Sequence, residues 1–277
     1  MGLARKVHNL LSLMGLDFVR LGRTFAATPR FIRDARRYKR ALAAMQNGSP
    51  ATANSPGAPA PPSAAAGNFA MHWRNAKPIL NDYWEQAGSA SGHYFFQDLW
   101  AARKIYERRP TRHLDIGSRL DGFVAHVLSF MPVEVIDIRP LATSVPGLSF
   151  IQSDATRLSD FADGSIDSLS SLHAIEHFGL GRYSDPIDPQ ACFLAMGALA
   201  RVLKPGGRLY FSVPIGRERV EFNAHRVFAP ETILREFSQL RLVSFAGVDD
   251  AGDFKPDAKP DDFSGARFSC GLFEFTK

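Results

Sequence analysis

Seven short apolar runs recur in the second half of the chain, at 112–116, 133–138, 148–152, 166–172, 208–213, 240–248 and 267–275. Their length and their content of valine, isoleucine, leucine and phenylalanine are those of buried strands. Helical patterns separate the first five, which predicts a parallel sheet with right-handed crossovers, a doubly wound α/β domain. No helical pattern separates the last two, so an antiparallel hairpin is expected at one edge. Ahead of the strands, Phe96, Leu99, Trp100, Arg103 and Tyr106 recur at helical spacing and predict a helix covering the sheet.

The first residues are patterned differently. Leu10, Leu11, Met14, Phe18 and Leu21 predict one helix. A second is expected to start at Thr28-Pro29, with Phe31, Ile32, Ala35, Tyr38, Leu42 and Met45 on one face. Residues 48–67 carry no charge and no large apolar side chain, and so cannot bury enough surface to offset ordering. They predict a flexible linker between an arm, 1–47, and a main domain, 68–277.

The chain has 277 residues, 45% hydrophobic and 22% charged, enough for one large α/β domain with an appendage. Its net charge of +5 is uneven, because residues 1–40 hold ten Lys and Arg against two Asp, leaving 23 basic and 26 acidic residues elsewhere. A nucleic-acid partner is therefore not expected. The basic arm has three readings: a helical hairpin packed on the domain or a second subunit, peripheral contact with an anionic membrane, or polyanion binding. His8 and Asp17 interrupt a signal-peptide core, Lys6 spoils a myristoylation signal, and no run approaches the ~18 apolar residues of a membrane span. The two cysteines, Cys192 and Cys270, have no metal-type spacing, so neither a disulfide framework nor a metal site is expected. A reducing, cytoplasmic setting follows, with the inner face of the membrane as the arm's place of contact.

Candidate chemistry concentrates after strand ends. The stretch from His113 to Val124 is a strand that reaches Asp115, turns at Gly117 and continues into a helical pattern, which aims backbone N–H groups above the turn. Twenty residues past Gly117, Asp137 ends the next strand, well placed for two ribose hydroxyls. The G-x-G-x-x-G spacing of nicotinamide sites is missing. His173-Ala174-Ile175-Glu176-His177 matches the H-x-x-E-H of one zinc-protease class, but that motif needs a helix and this one follows a strand. Residues 179–189 form a long connection with Arg182, Tyr183 and Asp185, a lining suited to a polar acceptor. His225 and Arg226 follow a later strand at the same edge.

Leu114-Asp115-Ile116-Gly117, Asp137, Gln152-Ser153-Asp154-Ala155-Thr156, the histidine motif at 173–177, Val202-Leu203-Lys204-Pro205-Gly206-Gly207 and His225-Arg226-Val227-Phe228 come in a telling order. Over roughly residues 90 to 277 the chain resembles the class I S-adenosylmethionine-dependent methyltransferases, with a closer likeness to a bacterial branch known only as a domain of unknown function. The resemblance implies a Rossmann-like, seven-stranded sheet and S-adenosylmethionine as cofactor. It places Asp115, Gly117, Ser118, Arg119, Asp137, Asp154, Ala155 and His173 at the cofactor, and Glu176, His177 and His225 at the reacting end. Arg182, Tyr183, Asp185 and Arg226 would then hold a small polar acceptor, such as a saccharide of the cell envelope. The superfamily's second and third glycines are replaced by Arg119 and Asp121, and Gly122 falls one place late, so a longer turn is expected. Two other readings stand: a non-catalytic nucleoside-binding or scaffold protein on the same fold, and a metal hydrolase built on His173, Glu176 and His177.

Overall fold

The apolar runs build one mixed sheet. A computed structural model of the chain describes residues 18–46 and 71–277. The strands are β1 Leu114–Ile116, β2 Val133–Asp137, β3 Leu148–Gln152, β4 Ile166–Leu172, β5 Leu203–Ile215, β6 Arg219–Glu221, β7 His225–Val227, β8 Arg241–Val248, β9 Phe254–Lys255 and β10 Ser269–Thr276. The helices are α1 Phe18–Gln46, α2 Gly92–Arg108, α3 Ala125–Leu128, α4 Ala191–Val202 and α5 Pro230–Glu236. The sheet order is β3-β2-β1-β4-β5-β10-β8-β9, while β6 and β7 form a separate ribbon. The β3-β2-β1-β4-β5 half is parallel, and β10 inserts antiparallel between β5 and β8. This is the Rossmann-like doubly wound α/β architecture with the antiparallel pair at the expected end. The sheet has eight strands rather than seven, because two residues, Phe254 and Lys255, add an edge strand to Gly247 and Val248.

Alternation along the strands divides the core. Leu209, Phe211 and Val213 pack with Cys192, Leu199 and Ile233 of α4 and α5, whereas Tyr210 packs with Trp100 and Ile105 of α2. The helix α2 does cover the sheet, but its buried face is Gln97, Asp98, Trp100, Ala101, Ala102 and Ile105, and Arg103 and Tyr106 are exposed. Small alanines bring the backbone close, and a polar pair sets the rotation: Ser212 Oγ donates to Gln97 Oε1 at 2.6 Å.

Two connections differ from expectation. No helix joins β2 to β3 or β3 to β4, since residues 138–147 carry two prolines and 153–165 are dense in turn formers. Pro205-Gly206-Gly207 lies inside β5, where the register with β4 shifts between Ile166 and Ser168. Gly206 (φ 76°) turns the bulge.

The chain divides into two compact units, Met1–Ser89 and Ala90–Lys277, and the second holds the sheet. In the first unit, α1 runs through Thr28-Pro29 without a break, and the expected cap is not made. The Thr28 hydroxyl bonds back to the Thr24 carbonyl (2.7 Å) instead of forward to helix amides. Leu21, Phe25, Ile32 and Tyr38 of α1 are exposed. Most of the helix expected at 10–21, and the linker at 48–67, lie outside the described residues. Among the described residues no helix is long and apolar enough to cross a membrane.

Candidate functional site

From β1 the chain crosses to β2 on one side, and from β4 to β5 on the other, so a crevice opens beyond the carboxyl ends of β1 and β4. A buried polar network props it from below. Asp115 accepts from Ser118 N (3.0 Å), Ser118 Oγ (2.6 Å) and Ser170 Oγ (2.5 Å), and Ser118 Oγ accepts from Leu172 N (3.0 Å). His113 Nε2 lies 2.9 Å from Ser170 Oγ and its Nδ1 2.8 Å from Ser168 Oγ. Burial pushes the Asp115 carboxyl up to about 6 and the His113 imidazole down to about 3. Asp115 and Ser118 therefore brace the turn from below: their side-chain oxygens bond inside the protein and neither residue lines the cavity.

Above the network, Gly117 (φ 68°) turns the chain in the left-handed region that an L side chain rarely adopts. The turn is longer, as expected, and the extra residue is absorbed as a π-helical turn, Leu120–Val124, ahead of α3. At Gly122 a Cβ would meet the end of the Asp98 carboxylate on α2, which would have to shift to admit a side chain.

The crevice is a cavity of about 660 Å³. Gly117, Arg119, Asp137, Asp154 and Ala155 line one end. Asp137, ending β2, binds Arg139 in two places, with Oδ1 2.9 Å from Nε and Oδ2 2.5 Å from Nη2. Asp154 accepts from Thr156 N at 2.8 Å, which fixes the loop after β3. Arg119 pairs with Asp121 and stands over the Tyr94 ring at 4.9 Å.

The other end gathers His173, Glu176, His177, Arg182, Tyr183 and His225. The histidine motif is not helical. His173 takes a left-handed conformation (φ 48°), and Ile175–His177 form a single 3-10 turn. The consequence is that both histidines reach one carboxylate oxygen: Glu176 Oε1 is 2.7 Å from His173 Nδ1 and 3.7 Å from His177 Nε2. Burial opposes both charges of the first pair, but Cys270 and Glu176 hold the His173 proton well above the ordinary histidine range. His173 in turn keeps Glu176 below the usual carboxylate range. Burial lowers His177 and His225. His177 Nδ1 meets the Ala224 carbonyl at 2.7 Å, so its proton sits there and Nε2 keeps a lone pair.

Two expected acceptor contacts have other duties. Arg226 is buried and donates to the carbonyls of Glu176 (3.3 Å) and Phe178 (2.6 Å), so it clamps the motif from behind and does not line the cavity. Asp185 lines the cavity, but its carboxylate accepts from the amides of Gly179, Gly181 and Tyr183. Burial would raise it, yet these amides hold it low, and it organises the loop. Arg182 donates to the Ala224 carbonyl at 2.8 Å, and the Tyr183 ring meets His177 edge-on at 5.7 Å.

Sequence reasoning missed His93, Tyr94, Arg139 and Phe268, which also line the cavity. The aromatic start of α2 was the signal for the first two, read only as core. Arg139 stands two residues beyond Asp137. Phe268 gives no signal in sequence, as it stands just before β10, which reaches the site only through the sheet order.

The chain is similar, over residues 148–247, to a family described as Caenorhabditis protein of unknown function, DUF268. That description gives no support to the bacterial origin that the resemblance suggested. No curated protein matches. Among solved structures, the cyclase SpnF is 15% identical (TM-score 0.48, 70% of this chain and 85% of that one). The N-methyltransferase NodS from Bradyrhizobium japonicum, in complex with S-adenosylhomocysteine, is 16% identical (TM-score 0.46, 67% and 88%). The 1,6-didemethyltoxoflavin-N1-methyltransferase from Burkholderia thailandensis is also 16% identical (TM-score 0.44, 65% and 78%). The likeness is one of fold, and the reactions named differ.

Proposed function

We propose that the chain is an S-adenosylmethionine-dependent methyltransferase for a small polar acceptor, with a saccharide of the cell envelope as the class to try first. One observation carries the reading: a single cavity joins a nucleoside-type end, with Asp137 and Asp154 at consecutive strand tips, to an end rich in histidine and carboxylate. The cavity volume falls in the range of cofactor sites. The donor set also fits. Asp137 would take the ribose hydroxyls, Asp154 and Ala155 the base, and Gly117 allows close approach of the backbone. Arg139 covers Asp137, but its side chain is half exposed and the pair is a weak one to displace.

When bound, S-adenosylmethionine supplies an already activated sulfonium methyl, so the chain's main task is positioning. Arg182 and Tyr183 flank the acceptor end, and Arg226 holds the Glu176–Phe178 segment rigid beneath it. A hydroxyl acceptor must lose its proton as the bond forms. His177 Nε2, unprotonated and lining the cavity, is the group placed to accept it.

The test is calorimetry with S-adenosylmethionine and its demethylated product. Asp137→Ala should cost roughly 1.5–3 kcal/mol, or about ten- to a hundredfold in affinity, by removing a charged acceptor from buried hydroxyls. No binding by the parent, or unchanged affinity in the variant, would sink the reading.

A further inference from the structure

We propose that His93, His173 and Cys270 form a binding site for a divalent ion of the zinc class in the wall of the cavity. The proposal goes beyond methyl transfer and does not depend on it. The three residues come from the first turn of α2, the residue after β4, and β10, so no sequence spacing announces them. The sheet order brings them together, with one potential ligand atom of each within 4.8 Å of the others. Around a tetrahedral zinc, nitrogen and sulfur ligands stand roughly 3.4–3.7 Å apart, so only a small closing movement is required.

A second observation points to a ligand. The His173 side chain is 95% buried, judged by its 5% exposure, and its Nε2 has no hydrogen-bond partner. Its other nitrogen, Nδ1, lies 2.7 Å from the Glu176 carboxylate, and Cys270 lies against the same ring. A carboxylate on the far nitrogen of an imidazole is the arrangement that orients metal-binding histidines and strengthens them as donors. His93 has a comparable partner in the Phe268 carbonyl, and its ring stacks on His173 with centroids 5.2 Å apart. Cys270 is fully buried and makes no disulfide.

The donors also select the metal. Two imidazoles and a thiolate suit zinc and its soft neighbours, and disfavour magnesium and calcium, which need oxygen ligands. Three protein ligands leave a fourth position, and His93 and His173 both line the cavity toward which it would open. Such a set belongs to sites where the ion meets water or substrate rather than to closed structural sites.

The experiment uses the tag-free full chain, zinc titrated against a chromophoric chelator, and cobalt(II) substitution read by absorption. One zinc per chain is expected, together with a cobalt–thiolate charge-transfer band. His173→Gln and Cys270→Ser should each weaken zinc by more than about a hundredfold, and Cys270→Ser should abolish the band. Glu176→Gln should weaken zinc about ten- to a hundredfold, the usual effect of losing an orienting carboxylate. His126→Ala, at an exposed histidine of α3, should change nothing. Should Cys270→Ser fail to fold, as judged by circular dichroism, His93→Gln gives the same reading. Substoichiometric zinc in the parent, a cobalt spectrum without the thiolate band, or parent-like affinity in His173→Gln and His93→Gln would overturn the proposal.

Discussion

His177 and Asp115 show how burial assigns different tasks to polar residues of one site. Burial keeps His177 uncharged, and the Ala224 carbonyl fixes its tautomer, so it is ready to accept a proton. His177→Ala should lower turnover by about 10²–10⁴, the usual worth of a general base, with cofactor affinity nearly unchanged. Near-normal turnover would mean a pure proximity mechanism or a base elsewhere, with His225 next to be tested. Asp115 has no such freedom, being fully buried in the serine network. Its folded pKa, about 6, lies above its ordinary value, so its contribution to stability is complete below about pH 4 and is lost as pH rises to 6. His113 beside it has the opposite sign, because its pKa falls to about 3 and its contribution is lost on acidification below 6.5. Comparing Asp115→Asn with the parent isolates the first effect. The stability of the variant minus that of the parent should fall by about 2 kcal/mol from pH 6 to pH 4, the larger part of the roughly 3 kcal/mol that a shift of about two pKa units at 1.36 kcal/mol each allows. Urea unfolding across that range measures it, and a difference independent of pH would contradict the account. Sequence alone cannot separate these residues. Asp115 and Asp137 both stand at strand ends after apolar runs, and only the serines of β4 decide which carboxylate turns inward.

At the scale of elements, the strands were legible because a buried strand has to be apolar along its length. Strands β3 and β4 keep their predicted limits, β1, β2 and β8 shift by one or two residues at one end, and β10 shifts at both. The helices were less legible. Apolar spacing on α2 pointed to Phe96, Leu99, Arg103 and Tyr106, yet the buried face includes Gln97, which accepts from Ser212 of β5, and Asp98, which accepts from Gln97. Thr28-Pro29 has the chemistry of a helix start, but the hydroxyl found a carbonyl four residues back and the helix ran on. A proline there removes one backbone donor without forcing an end. The late glycine was legible as a longer turn, and its form, a π turn closed from Val124 N to Arg119 O at 3.3 Å, depends on Asp98 of α2 occupying the space beside Gly122. At Thr28 a local carbonyl competes with the cap, whereas on α2 and at the late glycine the deciding polar group has a partner distant in sequence. The same reason hid the end of the cavity built from α2 and β10, since His93, Phe268 and Cys270 meet only after the sheet has assembled.

For the whole molecule, the division at Ser89 separates a unit with its own two-sided core from a basic helix that exposes apolar side chains. The core clusters of the second unit draw on its own strands and helices, so its fold should stand without residues 1–47. A chain lacking them should remain soluble and melt near the parent temperature. Insolubility or a much lower melting point would show that the arm contributes to the domain's stability. The arm's own role follows from its charge. Between residues 18 and 46 it carries eight Lys and Arg against one Asp, and that Asp pairs with Arg30 and Arg33. Each basic residue near an anionic bilayer contributes about 1 kcal/mol, and exposed Leu21, Phe25 and Ile32 add apolar area that can enter the interface. We therefore expect the full chain to sediment with vesicles containing anionic lipid at low salt, and to be largely released at high salt as the charges are screened. The truncated chain should stay in the supernatant at both salt concentrations, and neutral vesicles should bring down neither protein. Equal sedimentation of the two chains would move the contact to another surface. No sedimentation of the full chain would leave the exposed apolar face of α1 to a protein partner, and a second copy of the chain would then be sought by light scattering.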